Sequence, residues 1–163
     1  MGSGFRQGMM AAALVLGLAH GNAIAAPFIN VLDNALVITP TPADYERDYV
    51  EVTGAAGLGV KLKTNSSTGM MLMVRSSSAN PAIRAGDFLV RTLTPPGRGG
   101  TTLSTYTTLG PSNLTLWTTG VAQPPFAQVD MDIRIRNLFN YGDAAIAGTT
   151  GYTNTLIFTV IEP

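Results

Sequence analysis

The chain has 163 residues, 10 Lys+Arg against 10 Asp+Glu, one histidine and no cysteine. That length suits one domain and hardly two. The even charge balance gives no electrostatic footprint for nucleic acid or an anionic membrane, and disulfides and thiolate chemistry are excluded outright.

Residues 1–25 read as an export signal. Arg6 is the only charge there, residues 9–19 form an apolar stretch, and Ala23-Ile24-Ala25 fits the small-x-small cleavage rule, with Ala26 as the new N-terminus. An uncleaved anchor fits less well, because eleven apolar residues span only about half of a bilayer core. The sole histidine, His20, lies inside this segment. Residues 26–163 therefore contain neither Cys nor His, so a Cys–His or Ser–His–Asp mechanism and an ordinary zinc or copper site are ruled out. The expectation is a non-enzymatic protein without cofactor, exported to the periplasm, cell surface or medium and not membrane-bound after signal cleavage. Its Thr, Gly, Ser and Asn content makes a neutral polar surface with little charge repulsion against self-association.

Residues 26–42 form either an N-terminal extension or the first strand, with 35–39 as a short strand candidate held extended by flanking prolines. The sandwich domain is expected over 43–163. Residues 44–48 are charged and turn-like; 49–53 resume β-character, with Val50 and Val52 opposed to Glu51. A Gly-Ala-Ala-Gly bend leads to a strand over 59–64, Val60 and Leu62 inward, Lys61 and Lys63 outward. Asn65-Ser-Ser-Thr-Gly69 is turn chemistry, so 61–75 reads as a hairpin. Met70 to Val74 is apolar on both parities, which predicts a strand covered on both faces. Strands follow over 88–93, over the threonine-rich 101–109 at an edge, and over 113–118; residues 94–100 and 120–125 are loops. Gln128 to Arg136 has the strongest alternation, Val129, Met131, Ile133 and Ile135 against Asp130, Asp132, Arg134 and Arg136. After a Gly/Ala/Thr-rich connection, residues 152–161 close the chain with Leu156, Phe158 and Val160 on one parity. Eight or nine antiparallel strands without an amphipathic helix predict an all-β, immunoglobulin-like two-sheet sandwich.

The ending Gly151-Tyr152-Thr153-Asn154-Thr155-Leu156-Ile157-Phe158-Thr159-Val160 resembles the closing strand of exported bacterial immunoglobulin-like domains of the pilin and spore-coat-U-like kind. The order of signal, short extension and all-β domain is similar to theirs. The resemblance implies a surface subunit that polymerises with itself, or is held by an export chaperone, through strand addition at a sheet edge. It places the donor in residues 28–38, through Phe28, Leu32, Leu36 and Ile38. The acceptor edge is Tyr152, Leu156, Phe158 and Val160.

Three constellations bear on other functions. Asp130 and Asp132 share a face, as do Asp44, Glu46 and Asp48; such carboxylates can hold calcium or serve glycoside hydrolysis, but a solvated strand face balanced by Arg134 and Arg136 is the simpler reading of the first pair. Trp117 lies on the parity opposite Leu114 and Leu116. It is either buried in a strand covered on both faces, which is favoured, or exposed to stack on carbohydrate with Tyr106 or Tyr141. The runner-up function is accordingly a monomeric module binding a sugar or another surface ligand.

Overall fold

A computed structural model describes residues 26–32, 35–54, 57–77, 86–93, 95, 98–138 and 154–163. The segment read as an export signal, Tyr141 and Tyr152 lie outside these residues.

The chain forms two antiparallel sheets packed face to face. In order, the strands are β1 (Phe28–Val31), β2 (Tyr49–Val52), β3 (Leu58–Thr64), β4 (Met70–Ser76), β5 (Phe88–Thr92), β6 (Thr101–Thr102), β7 (Thr107–Thr108), β8 (Leu114–Thr119), β9 (Gln123–Arg136) and β10 (Leu156–Ile161). The large sheet runs β1-β3-β9-β5-β7, with β2 also paired to β9; the small sheet runs β10-β4-β8-β6. The all-β sandwich expected from alternation is present, with ten strands among the described residues rather than eight or nine.

β9 is the spine of the large sheet. Its inward residues Val129, Met131 and Ile133 are buried, and β5 pairs along one edge while β3 and β2 share the other. The bend between β2 and β3 needs glycine: Gly54 has a positive φ, and a Cβ on Gly57 would run into the Met131 carbonyl. β9 starts earlier than its alternation suggests, because Gln123 already pairs with Thr64. Two steps along β3, from Leu62 to Thr64, face four along β9, so the Pro-Pro stretch expected as loop is a bulge inside the strand, where a missing N–H costs no ladder bond.

Several local expectations are corrected. β3 and β4 are not a hairpin: they lie in different sheets, and residues 65–69 carry the chain across the core through Gly69 at φ +82°. Both strands bury one apolar face, so they oppose each other across the sandwich instead of sharing a ladder. β4 is likewise buried on one face only, with Met70, Leu72 and Val74 fully enclosed and Met71 and Met73 half-buried on the outside. The turn-like acidic stretch is a one-and-a-half-turn helix, α1 (Pro42–Arg47). Pro42 opens it, and Asp44 reaches back to accept from the Thr41 amide (2.8 Å) and hydroxyl (2.7 Å). Asp48 ends it in the left-handed conformation. The first strand is β1; residues 35–40 are extended but join neither sheet.

The core is one cluster built from both sheets, with Val60, Leu62, Leu72, Val74, Val90, Leu116, Trp117, Met131 and Ile133 at its centre.

Candidate functional site

The two flanks of the sandwich are built differently. On the β6/β7 side both edge strands are two-residue stubs, and the chain between them crosses from one sheet to the other. Leu103 binds both sheets at once: its amide donates to the Leu116 carbonyl (2.9 Å), and its carbonyl accepts from the Thr92 amide (2.8 Å). The Thr92 hydroxyl adds a 2.6 Å bond to the same Leu116 carbonyl. Leu109, Leu116 and Trp117 behind this clasp are buried.

The opposite flank is formed by β1 and β10. β10 is a six-residue strand paired to β4 alone, and among the described residues nothing pairs with its other edge. The Ser77 amide donates to the Thr155 carbonyl (2.8 Å), which makes that facing pair a hydrogen-bonded one. In an antiparallel ladder such pairs alternate with non-bonded ones, so Ile157, Thr159 and Ile161 bond to β4 while Leu156, Phe158 and Val160 turn their amides and carbonyls to the free edge. The same three residues send their side chains into the core, where they remain only half-buried; on neighbouring β4, Leu72 and Val74 are 0% exposed. Thus the free edge and an incompletely covered part of the core belong to the same three residues.

The four proposed donor residues do not share one face. β1 pairs with β3 so that Ile29 lies opposite Leu62 and Val31 opposite Val60, which turns the odd residues inward. Phe28 and Leu32 are on the outer face, 48% and 37% exposed, whereas Leu36 and Ile38 pack against the core. One parity therefore cannot serve from 28 to 38. The segment also begins in its own chain's sheet. Of the acceptor set, Leu156, Phe158 and Val160 line the free edge together.

Of the carbohydrate-stacking candidates, Trp117 and Tyr106 are engaged internally. Trp117 is fully buried because β8 carries a bulge: Leu72 faces Trp117 but Met73 faces Thr115, which leaves Leu116 as the extra residue and puts Leu116 and Trp117 on the same side. The indole N–H donates to the Gly99 carbonyl (3.0 Å), under a loop whose Gly100 has φ +91° and no room for a Cβ. Burial was the favoured reading, but the bulge, not cover on both faces, produces it. Tyr106 carries two guanidiniums against its ring, Arg134 at 4.1 Å and Arg91 at 4.5 Å from the centroid, and its hydroxyl donates to Glu51.

That contact belongs to a ladder over the outer face of the large sheet. Arg47 and Arg134 both stack on Tyr49, and Arg134 and Arg91 on Tyr106, in the order Arg47–Tyr49–Arg134–Tyr106–Arg91. Glu51 pairs with Arg134 (2.9 Å), and Asp132 pairs with Arg91 (2.8 Å) while accepting from the Gly54 amide (2.8 Å). Asp132 is thus buried, not part of a solvated face, and its neighbour Asp130 takes its own bond from Gln128 (2.9 Å). The two carboxylates are engaged separately. Asp44 is occupied by Thr41 and Arg47.

Burial alone would raise the Glu51 pKa, but hydrogen bonds from Tyr106 and Arg134 and the charges of Arg134 and Arg91 outweigh it and leave it below the ordinary carboxylate value. Burial and the same Glu51 hold the Tyr106 hydroxyl above the ordinary phenol range. Hydrogen bonds from the Thr41 side chain and amide lower Asp44, and its bond to Asp132 raises Arg91. These shifts describe a structural network in which, among the described residues, one buried side-chain nitrogen, Arg134 Nε, has no hydrogen-bond partner.

One exposed feature escaped the reading of sequence. Phe126, 46% exposed, meets Phe28 edge to face at 5.2 Å. It follows two prolines and falls between the expected loop over 120–125 and the expected strand over 128–136, yet it stands on the polar parity of Gln128 and Asp130, where an aromatic is out of place. Compared with protein-family models, with curated proteins and with solved structures, the chain has no match.

Proposed function

We propose that this is a non-enzymatic, exported structural protein of the cell surface, whose subunits join by strand addition at the free edge of β10. The observation that carries this reading is the coincidence on Leu156, Phe158 and Val160 of outward-facing backbone groups with incompletely covered core side chains. An added strand would complete the ladder and the core in one step, which is the energetic basis of strand addition. The donor is the N-terminal arm of another copy, residues 28–38; because β1 is paired within its own chain, assembly takes the form of exchange, in which Leu36 and Ile38 supply the core-facing residues. An export chaperone that lends a strand would use the same edge.

Light scattering across a concentration series tests this. The wild-type chain should form concentration-dependent oligomers. Val160→Pro removes an edge-facing amide while keeping every bond to β4, and should leave a folded monomer; a strand edge is one of the few places where proline is tolerated. Deleting residues 26–39 and adding a peptide of residues 28–38 covers chaperone-dependent assembly. A truncated domain that remains folded and does not bind this peptide rules the reading out.

A further inference from the structure

We infer that the outer face of the large sheet at its β1–β3–β9 corner is, in the subunit whose β1 stays paired with β3, a second site, one that binds an acidic polysaccharide of the uronate type. Three observations converge there. Phe28 and Phe126 hold their rings at 67° to each other, each about half exposed on a flat antiparallel surface. Lys63 lies opposite Phe28 in the β1–β3 ladder, with its ammonium 5.9 Å from the Phe126 ring centre. With Ala26, Thr64 and Asn65 these residues line a half-open depression of about 220 Å³.

The distribution of charge identifies the ligand's sign. Among the described cations, Arg47, Arg91, Arg134 and Arg136 are ion-paired with carboxylates. Lys61, Lys63, Arg75 and Arg98 have no described carboxylate within ion-pair distance, and three of these four lie on or near Phe126. Lys63 sits by its ring, Arg98 donates to its carbonyl (3.2 Å), and Lys61 lies two residues along β3 opposite Gln128. Lys61 and Lys63 are the only lysines in the chain. Two carboxylates border the patch, and both are engaged: Asp130 accepts from Gln128 and Glu162 from the Thr64 hydroxyl. If the export signal is cut after Ala25, the new α-ammonium of Ala26 adds another cation at the depression.

Shape and chemistry select the class. The depression falls below the ~300–1,000 Å³ that encloses a drug-sized molecule, so it suits one ring of a polymer lying across the face. Two outward lysines on one strand stand about 7 Å apart, a regular cationic row. A uronate chain presents both needed groups repeatedly: a C–H face to lie on phenyl rings and a carboxylate to meet each ammonium. An acidic peptide offers carboxylates without the ring, and a bilayer needs a wider apolar patch than two phenyl groups provide.

Affinity electrophoresis of the whole protein in gels containing polygalacturonate, neutral dextran or polyglutamate tests the assignment. Polygalacturonate should retard the protein, less so as salt rises, while dextran and polyglutamate should not. Phe126→Ala and the double variant Lys61→Gln/Lys63→Gln should each weaken retardation about tenfold, with circular dichroism confirming their fold. Val160→Pro, which stays a monomer with β1 on β3, should bind as the dilute wild-type monomer does, which separates this site from the β10 edge. No retardation by polygalacturonate, equal retardation by polyglutamate, or an unchanged Phe126→Ala protein would overturn the inference.

Discussion

The two flanks of this sandwich solve the same problem in opposite ways. Every sheet ends in strands with unpaired backbone groups, and natural proteins commonly shorten, cover or charge such edges. The β6/β7 flank is shortened to two-residue strands and closed by Leu103, which hydrogen-bonds to both sheets. The β1/β10 flank keeps a six-residue strand whose outer edge no described residue pairs with, and Leu156, Phe158 and Val160 behind it are half-buried. A fold that can close one side so thoroughly has no general difficulty in closing the other. The difference is what supports the proposal of strand addition at the open flank.

The largest expected effect contrasts the two cores. Trp117→Ala empties a fully enclosed site behind the closed flank and should cost about 3–5 kcal/mol. Phe158→Ala, on the open flank, removes a side chain that is already partly hydrated and should cost about 1–2 kcal/mol. Urea denaturation of both variants checks the ranking, and equal costs would mean that the flanks do not differ. Next comes Thr92→Val, which keeps the shape but deletes the hydroxyl bond to the Leu116 carbonyl and should cost about 1–2 kcal/mol.

A smaller effect is set by pH. Folding holds Glu51 below its ordinary value of 4.5, so its contribution is present above that pH and is lost as pH falls through the lowered folded value. Asp44 acts in the same direction, from an ordinary value of 3.8. Tyr106 has the opposite sign: raised from 10.0, its contribution is present below that pH and is lost as pH rises further. Since Tyr106 leads directly into β7, the closed flank should loosen at both extremes. Melting curves between pH 3 and pH 7 should show a steep acid loss for the wild type and a shallower one for Glu51→Gln.

How much of this was legible in the sequence depends on what alternation can carry. Period-two patterns placed the inward residues of β2, β3, β9 and β10, because burial on one face leaves that mark on each strand by itself. They do not say which strand lies beside which, so β3 and β4 were read as partners when they face each other across the core. Nor do they register a reset: the extra residue in β8 turns Trp117 to the same side as Leu116, and the parity of β1 does not continue to Leu36. The carboxylates of β9 were visible, but the partner of Asp132 is Arg91, 41 residues earlier, and only the pairing of β5 with β9 brings them together. The resemblance to a family pattern proposes an acceptor edge at Tyr152, Leu156, Phe158 and Val160; that no described strand pairs with the outer edge of β10 comes from the topology. Its match with the half-buried core needed the register.

The most direct measurement is amide hydrogen exchange along β10, by NMR, in dilute and in assembled protein. In the monomer, Leu156, Phe158 and Val160 should exchange rapidly while Ile157 and Thr159, bonded to β4, exchange slowly; assembly should bring the first three to the level of the other two. Slow exchange at Leu156, Phe158 and Val160 already in the dilute monomer, or continued rapid exchange once subunits have joined, would contradict the account.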